Sequence, residues 1–144
     1  MEKHICFLID DDEDDREIFT MALENANESY TCVEAINGRE ALELLAKDTA
    51  FSPNFIFIDL NMPYLSGKEC LQHLKKDSRF SNTPIIIYTT SSYSKDVEET
   101  RHLGAAHFLV KPAGMTVLTN ALTKVLNKEP LPYYLDYSET TITQ

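Results

Sequence analysis

The sequence predicts an α/β fold, a doubly wound parallel sheet of five strands flanked by five helices. Three observations carry this. Short runs of β-branched and aromatic residues recur along the chain, segments with helical apolar spacing fill the gaps, and each run is followed at once by polar or turn residues. Runs so short and apolar suit strands buried on both faces. Their alternation with helices implies right-handed crossovers around a parallel sheet.

Ile5-Cys6-Phe7-Leu8-Ile9 is the first strand. After six consecutive acids, Asp10 to Asp15, a helix carries Ile18, Phe19, Ala22, Leu23 and Ala26 on one face. Tyr30 to Ala35 is mixed in polarity and suits a sheet edge, and the turn Asn37-Gly38 leads into a helix begun by Ala41, Leu42, Leu44 and Leu45. Phe55-Ile56-Phe57-Ile58 is the third strand, and Cys70, Leu71 and Leu74 mark a helix after Ser66-Gly67. Ile85-Ile86-Ile87-Tyr88 is the fourth strand. The helix predicted over Lys95–Leu103 has only Val97 and Leu103 as apolar anchors and should be mainly solvated. Phe108-Leu109-Val110 is the fifth strand. Val117, Leu118, Ala121, Leu122, Val125 and Leu126 form the clearest stripe, and Pro130 and Pro132 are expected to end that helix. The tail to Gln144 holds Tyr133, Tyr134 and Tyr137; it reads either as a frayed terminus or as aromatics packed on the body or on a partner.

At 144 residues the chain has the length of one domain. With 13 Lys+Arg against 23 Asp+Glu its net charge is −10, which argues against direct binding to the phosphates of nucleic acid. No apolar run approaches the roughly 20 residues of a membrane span. The N-terminal apolar run is five residues long and leads into acids, unlike a secretory signal. Cys6, Cys32 and Cys70 are odd in number and form no CxxC pair, so buried, reduced thiols and a cytoplasmic location are expected. His4, His73, His102 and His107 lack ligand spacing and read as surface or strand-end residues.

The chemistry sits where the strands stop. In doubly wound folds ligands bind beyond the carboxyl ends of the strands. Acids at a helix start are favoured by the helix dipole, which accounts for Asp12 to Asp15. Asp10 and Asp11 instead terminate a buried strand directly, where paired carboxylates repel and call for a cation or a proton. Asp59 closes the third strand, Thr89 and Thr90 the fourth, and Lys111 the fifth. Three converging carboxylates suit Mg²⁺, a hard ion that takes oxygen ligands. Lys111 would find its counterions among them.

The pieces Leu8-Ile9-Asp10-Asp11-Asp12, Ile58-Asp59-Leu60-Asn61-Met62-Pro63 with Gly67, Thr89-Thr90-Ser91, Gly104-Ala105 and Lys111-Pro112 resemble the receiver domain of two-component response regulators. The resemblance runs from about His4 to Lys128, leaving 129–144 as a short tail. It implies a flavodoxin-like strand order of 2-1-3-4-5. It also implies a stand-alone phosphoacceptor switch, not an enzyme, beyond self-phosphotransfer and autodephosphorylation. Asp59 would accept a phosphoryl group from a phosphohistidine on a histidine kinase or histidine phosphotransfer protein, and an unknown downstream protein partner would read the change.

By the same resemblance, Asp10, Asp11, Asp59 and the backbone carbonyl of Asn61 would hold Mg²⁺, Asp11 directly and Asp10 mainly through water. Thr89 and Lys111 would bind the phosphoryl group, and Phe108 lies where the family keeps an aromatic switch. Asn61 and Ser91 occupy the rim positions that tune dephosphorylation. The Lys111-Pro112 bond is expected to be cis. Ala113 stands where many receivers carry a bulky aromatic, and Thr90 where a small alanine is common. A haloacid-dehalogenase-type phosphohydrolase would also use an aspartyl nucleophile, but with a second acid two residues on, where this chain has Asn61. An interaction module that is never phosphorylated would more naturally have lost Asp59, Thr89 or Lys111.

Overall fold

Strand and helix alternate from end to end in the computed structural model, which describes residues 4–138. In order come β1 (His4–Ile9), α1 (Glu13–Ala26), β2 (Tyr30–Ala35), α2 (Gly38–Lys47), β3 (Phe55–Ile58) and α3 (Gly67–Lys76). After a 3₁₀ turn at Ser78–Phe80 follow β4 (Ile85–Thr89), α4 (Ser94–His102), β5 (His107–Val110), α5 (Met115–Leu126) and a short β6 (Tyr134–Leu135). The start of the N-terminal segment (1–3) and the end of the tail (139–144) lie outside the described residues.

All neighbouring strands are parallel, in the order β2-β1-β3-β4-β5-β6. The expected doubly wound order is present, with one strand added. Alternation along each strand splits the core in two. Cys6, Leu8, Phe57, Ile86 and Tyr88 pack under α1 and α5 against Phe19, Leu23, Leu118 and Leu122. Phe7, Ile9, Ile56, Ile58, Ile87 and Phe108 pack on the other face with Ala41, Leu45, Cys70, Leu71 and Leu74. Because both faces are covered, the central strands read as unbroken apolar runs.

The starts of α1, α2 and α3 are fixed by side-chain caps. Asp12 accepts the Asp15 N–H at 3.0 Å, and Asn37 accepts the Glu40 N–H at 2.8 Å. Ser66 and Glu69 form a reciprocal capping box. The three cysteines are free, and burial pushes the Cys32 and Cys70 thiols up to about 12.

Four details differ from expectation. Two residues of the tail form β6, pairing with Phe108 and Leu109 and burying Leu135; so short a strand has no periodicity to detect. α5 stops at Leu126, and Lys128 (φ 54°) turns the chain away before either proline. Ile18 is 42% exposed, because α1 meets the core through the narrower stripe of Phe19, Ala22 and Leu23. No cis peptide occurs among the described residues, so Lys111-Pro112 is trans, the intrinsically preferred isomer, and Lys111 reaches the acids from it.

α4 buries only Thr100, as its sparse apolar pattern suggests, but polar bonds fasten it. Lys68 of α3 ion-pairs with Asp96 (2.7 Å) and Glu99, and the Thr100 hydroxyl hydrogen-bonds the Tyr133 hydroxyl at 2.6 Å.

Gly67 opens α3 against the end of β3, donating its N–H to the Leu60 carbonyl at 3.0 Å. A Cβ there would sit 2.3 Å from the Asp59 carbonyl oxygen and 2.6 Å from the Leu60 Cα, both backbone atoms with little room to yield. Gly67→Ala should therefore destabilise the protein by about 1–3 kcal/mol, read by urea unfolding. Unchanged stability would mean that α3 can slide away from Asp59 freely.

Candidate functional site

The backbone ladder runs one residue past the strands and sets the carboxylates side by side. The Asp10 N–H donates to the Ala35 carbonyl at 3.1 Å, and the Asp59 N–H donates to the Ile9 carbonyl at 3.0 Å. Two strands along, the Lys111 N–H donates to the Thr89 carbonyl at 2.8 Å. Each strand end is thus tied to its neighbour before any side chain acts.

Asp10, Asp11 and Asp59 each offer a carboxylate oxygen, and these atoms lie within 4.8 Å of one another. Asp10 and Asp59 are buried and Asp11 is exposed, so the group opens to solvent on one side. The Lys111 Nζ lies 2.9 Å from Asp10 Oδ2, 2.7 Å from Asp15 Oδ2 and 3.0 Å from Asp59 Oδ2. It donates hydrogen bonds to the last two. Its approach to Asp10 Oδ2 is an ion pair outside hydrogen-bonding geometry, and that buried oxygen accepts no hydrogen bond. Asp10 Oδ1 is occupied by the Asp12 N–H at 2.9 Å.

Burial alone would lower the Lys111 pKa, but pairing with Asp10 and Asp15 and the charge of Asp59 hold it well above the usual lysine value. Asp10 is pushed the other way: burial raises its carboxyl above the ordinary range, against the opposing pull of Lys111. The ammonium also lies over the Tyr88 ring, 5.2 Å from its centroid, and Tyr88 in turn packs edge-on against Phe19 and Phe57.

The residues singled out in the sequence divide into those brought to this rim and one that is not. Thr89 is fully buried at the end of β4, and its Oγ1 accepts the Ser91 N–H at 3.4 Å. Ser91 donates to Asp96 Oδ2 at 2.8 Å, joining the rim to α4. The Asn61 N–H reaches Asp59 Oδ1 at 3.4 Å. Phe108 instead lies in the core on the opposite face from Tyr88, its ring 5.9 Å from that of Tyr134.

Two residues of the site were not anticipated. Asp15 had read as a solvated helix acid, yet it makes the shortest contact to Lys111. Arg16 donates through Nη1 to the Asp10 carbonyl at 2.9 Å and through Nε to Glu34 at 3.0 Å, pinning the loop that carries the acids. No local signal marked Asp15, because α1 begins only at Glu13 after the extended cap Asp12, so Asp11 and Asp15 share no helical face.

The carboxylates of Asp10, Asp11 and Asp59 offer oxygen ligands only, and together they carry more negative charge than the one ammonium beside them offsets, which suits a hard divalent cation. Lys111 serves as counterion to three acids, and the sign of its pKa shift sets when that matters. So far as its own proton is concerned, its stabilisation is present below the unfolded lysine value of about 10.4 and is lost as pH rises through the higher folded value. Lys111→Met should cost about 3 kcal/mol in metal-free protein at neutral pH. The deficit should shrink at acidic pH, where Asp10, whose carboxyl pKa is already raised by burial, takes up a proton. A deficit that does not change with pH would contradict this electrostatic account.

A family model for the response regulator receiver domain matches residues 6–123. Among solved structures, the phosphorylated cyanobacterial phytochrome response regulator RcpA is 25% identical, with a TM-score of 0.80 over 91% of this chain and 99% of that one. Chemotaxis response regulator CheY4 of Vibrio cholerae is 30% identical, with a TM-score of 0.73 over 86% of this chain and 99% of that one. The Mn²⁺-bound response regulator Rcp1 shares the fold at 21% identity, with a TM-score of 0.76 over 90% and 98%. With the family match spanning most of its length, the chain belongs to the receiver domains of two-component response regulators.

Proposed function

We propose that Asp59 accepts a phosphoryl group from a phosphohistidine of a histidine kinase or histidine phosphotransfer protein, in a Mg²⁺-dependent reaction. In this reading residues 4–128 are the receiver unit and 129–144 a short tail, and the protein works in the cytoplasm, where its three thiols stay reduced. The observation that carries it is the position of Asp59: 9% exposed at the side chain, 3.0 Å from the Lys111 ammonium and within reach of two further carboxylates. The partner's nitrogen–phosphorus bond would break as a carboxylate oxygen of Asp59 bonds to phosphorus. The bonding pair stays with the imidazole, and Asp59 becomes an acyl phosphate.

Phosphoryl transfer calls for alignment and charge compensation more than for proton transfer. Asp10, Asp11, Asp59 and the Asn61 carbonyl would hold Mg²⁺, which when bound supplies positive charge to the phosphoryl oxygens. Lys111 would add a second positive charge and Thr89 a hydroxyl donor. Asn61 and Ser91, whose N–H groups reach Asp59 and Thr89, would tune how long the acyl phosphate survives.

The output would be a change in protein–protein contacts. Thr89 receives the Ser91 N–H, Ser91 bonds Asp96, and Asp96 pairs with Lys68. Movement of the Thr89 hydroxyl toward a phosphoryl group would pull on α4, which is held by polar bonds and a single buried residue more than by a packed apolar face. A phosphohydrolase reading lacks support, because Asn61 cannot supply the acid that reaction needs.

Incubation with Mg²⁺ and acetyl phosphate should add one phosphate to the wild-type protein and none to Asp59→Asn, measured by intact mass. Equal labelling of both proteins would remove Asp59 from its role.

A further inference from the structure

Lys111 has three N–H donors and three carboxylates around it, but the three are not equivalent. Asp10 has no exposed side-chain surface, and Asp59 carries the proposed chemistry. Asp15 alone is both outside the converging group Asp10, Asp11 and Asp59 and substantially solvated, its side chain 32% exposed. It nevertheless makes the shortest contact to the ammonium, 2.7 Å, across a gap of 96 residues in sequence. Its position is held by the first turn of α1: the Asp12 side chain accepts the Asp15 N–H, and the next residue, Arg16, is tied to the Asp10 carbonyl and to Glu34.

We propose that Asp15 is a positioning residue for phosphoryl transfer, the exchangeable counter-charge of Lys111. It holds the ammonium at the rim of the resting site and competes with the phosphoryl group for it. This rests on the reading of Asp59 as phosphoacceptor. When Asp59 becomes an acyl phosphate, its carboxylate charge is replaced by negative phosphoryl oxygens that need the ammonium. Asp10 cannot turn to water when the ammonium leaves it, whereas Asp15 can rotate into solvent at small cost. The carboxylate of Asp15 therefore sets how fully Lys111 commits to the phosphoryl group. Neutralising it removes both the competition and a like charge beside the incoming anion.

The test is titration of the full chain with beryllium fluoride in saturating Mg²⁺, followed by calorimetry. Asp15→Asn keeps the shape and one acceptor oxygen while removing the charge, so it should bind this phosphoryl mimic about three- to tenfold more tightly than wild type. Asp15→Glu restores the charge and should return affinity toward wild type. Asp14→Asn removes the same charge from the exposed neighbour and should change affinity by less than about twofold. A merely structural role for Asp15 would weaken binding in both Asp15 variants. If Asp15→Asn fails to fold, Asp15→Ser is the second neutral variant and should tighten binding in the same sense. Unchanged or weaker binding by the neutral variants, or equal tightening by Asp14→Asn, overturns the proposal while leaving the Asp59 reading intact. Wild-type protein that takes up no mimic at all overturns both.

Discussion

The structure depends on one ammonium group. Four carboxylates, Asp10, Asp11, Asp15 and Asp59, are gathered at the ends of two strands and the first turn of a helix, and three of them touch Lys111. Without a positive charge, bringing these acids out of water and against one another would be costly. With it, the strand ends can meet. The residual negative charge is what makes the rim receptive to a divalent cation. The same arrangement explains why Asp10 resists ionisation while Lys111 resists losing its proton: one is buried with too little compensation, the other with abundant partners.

Around that pair the fold acts as a rigid frame with one loosely packed side. Backbone bonds from Asp10 to Ala35, Asp59 to Ile9 and Lys111 to Thr89 fix the acids and the lysine to the sheet itself. Gly67 brings α3 into contact with the Asp59 backbone. α4 differs, since its hold is a set of ion pairs and hydroxyl contacts to Lys68, Ser91 and Tyr133. Such bonds exchange for water more cheaply than buried apolar area does. β6 adds a further connection, because its parallel pairing covers the edge of β5 while the adjacent Tyr133 reaches α4.

Much of this was legible in the sequence, and for physical reasons. Strands covered on both faces must be apolar throughout, so Ile85 to Tyr88 and Phe55 to Ile58 declare themselves. A carboxylate or lysine that ends such a run has nowhere to go but the rim. What escaped detection depends on geometry across the fold. Asp15 looks like any acid at a helix start until Lys111, 96 residues away, is set against it. The polar bonds holding α4 come from other elements, so its own weak amphipathicity foretold loose packing and not the ion pairs. β6 is two residues long, with no period to read. The isomer of the Lys111-Pro112 bond was inferred from family habit and differs here, where the lysine reaches all three acids from a trans peptide.

The central claim is that the rim assembled by Lys111 binds a divalent cation through the carboxylates of Asp11 and Asp59. Crystals soaked in Mn²⁺ and measured at its absorption edge test it most directly. The account predicts one strong anomalous peak at about 2.1–2.3 Å from oxygens of these two residues. A peak elsewhere on the acidic surface, or none at the strand ends, would contradict it.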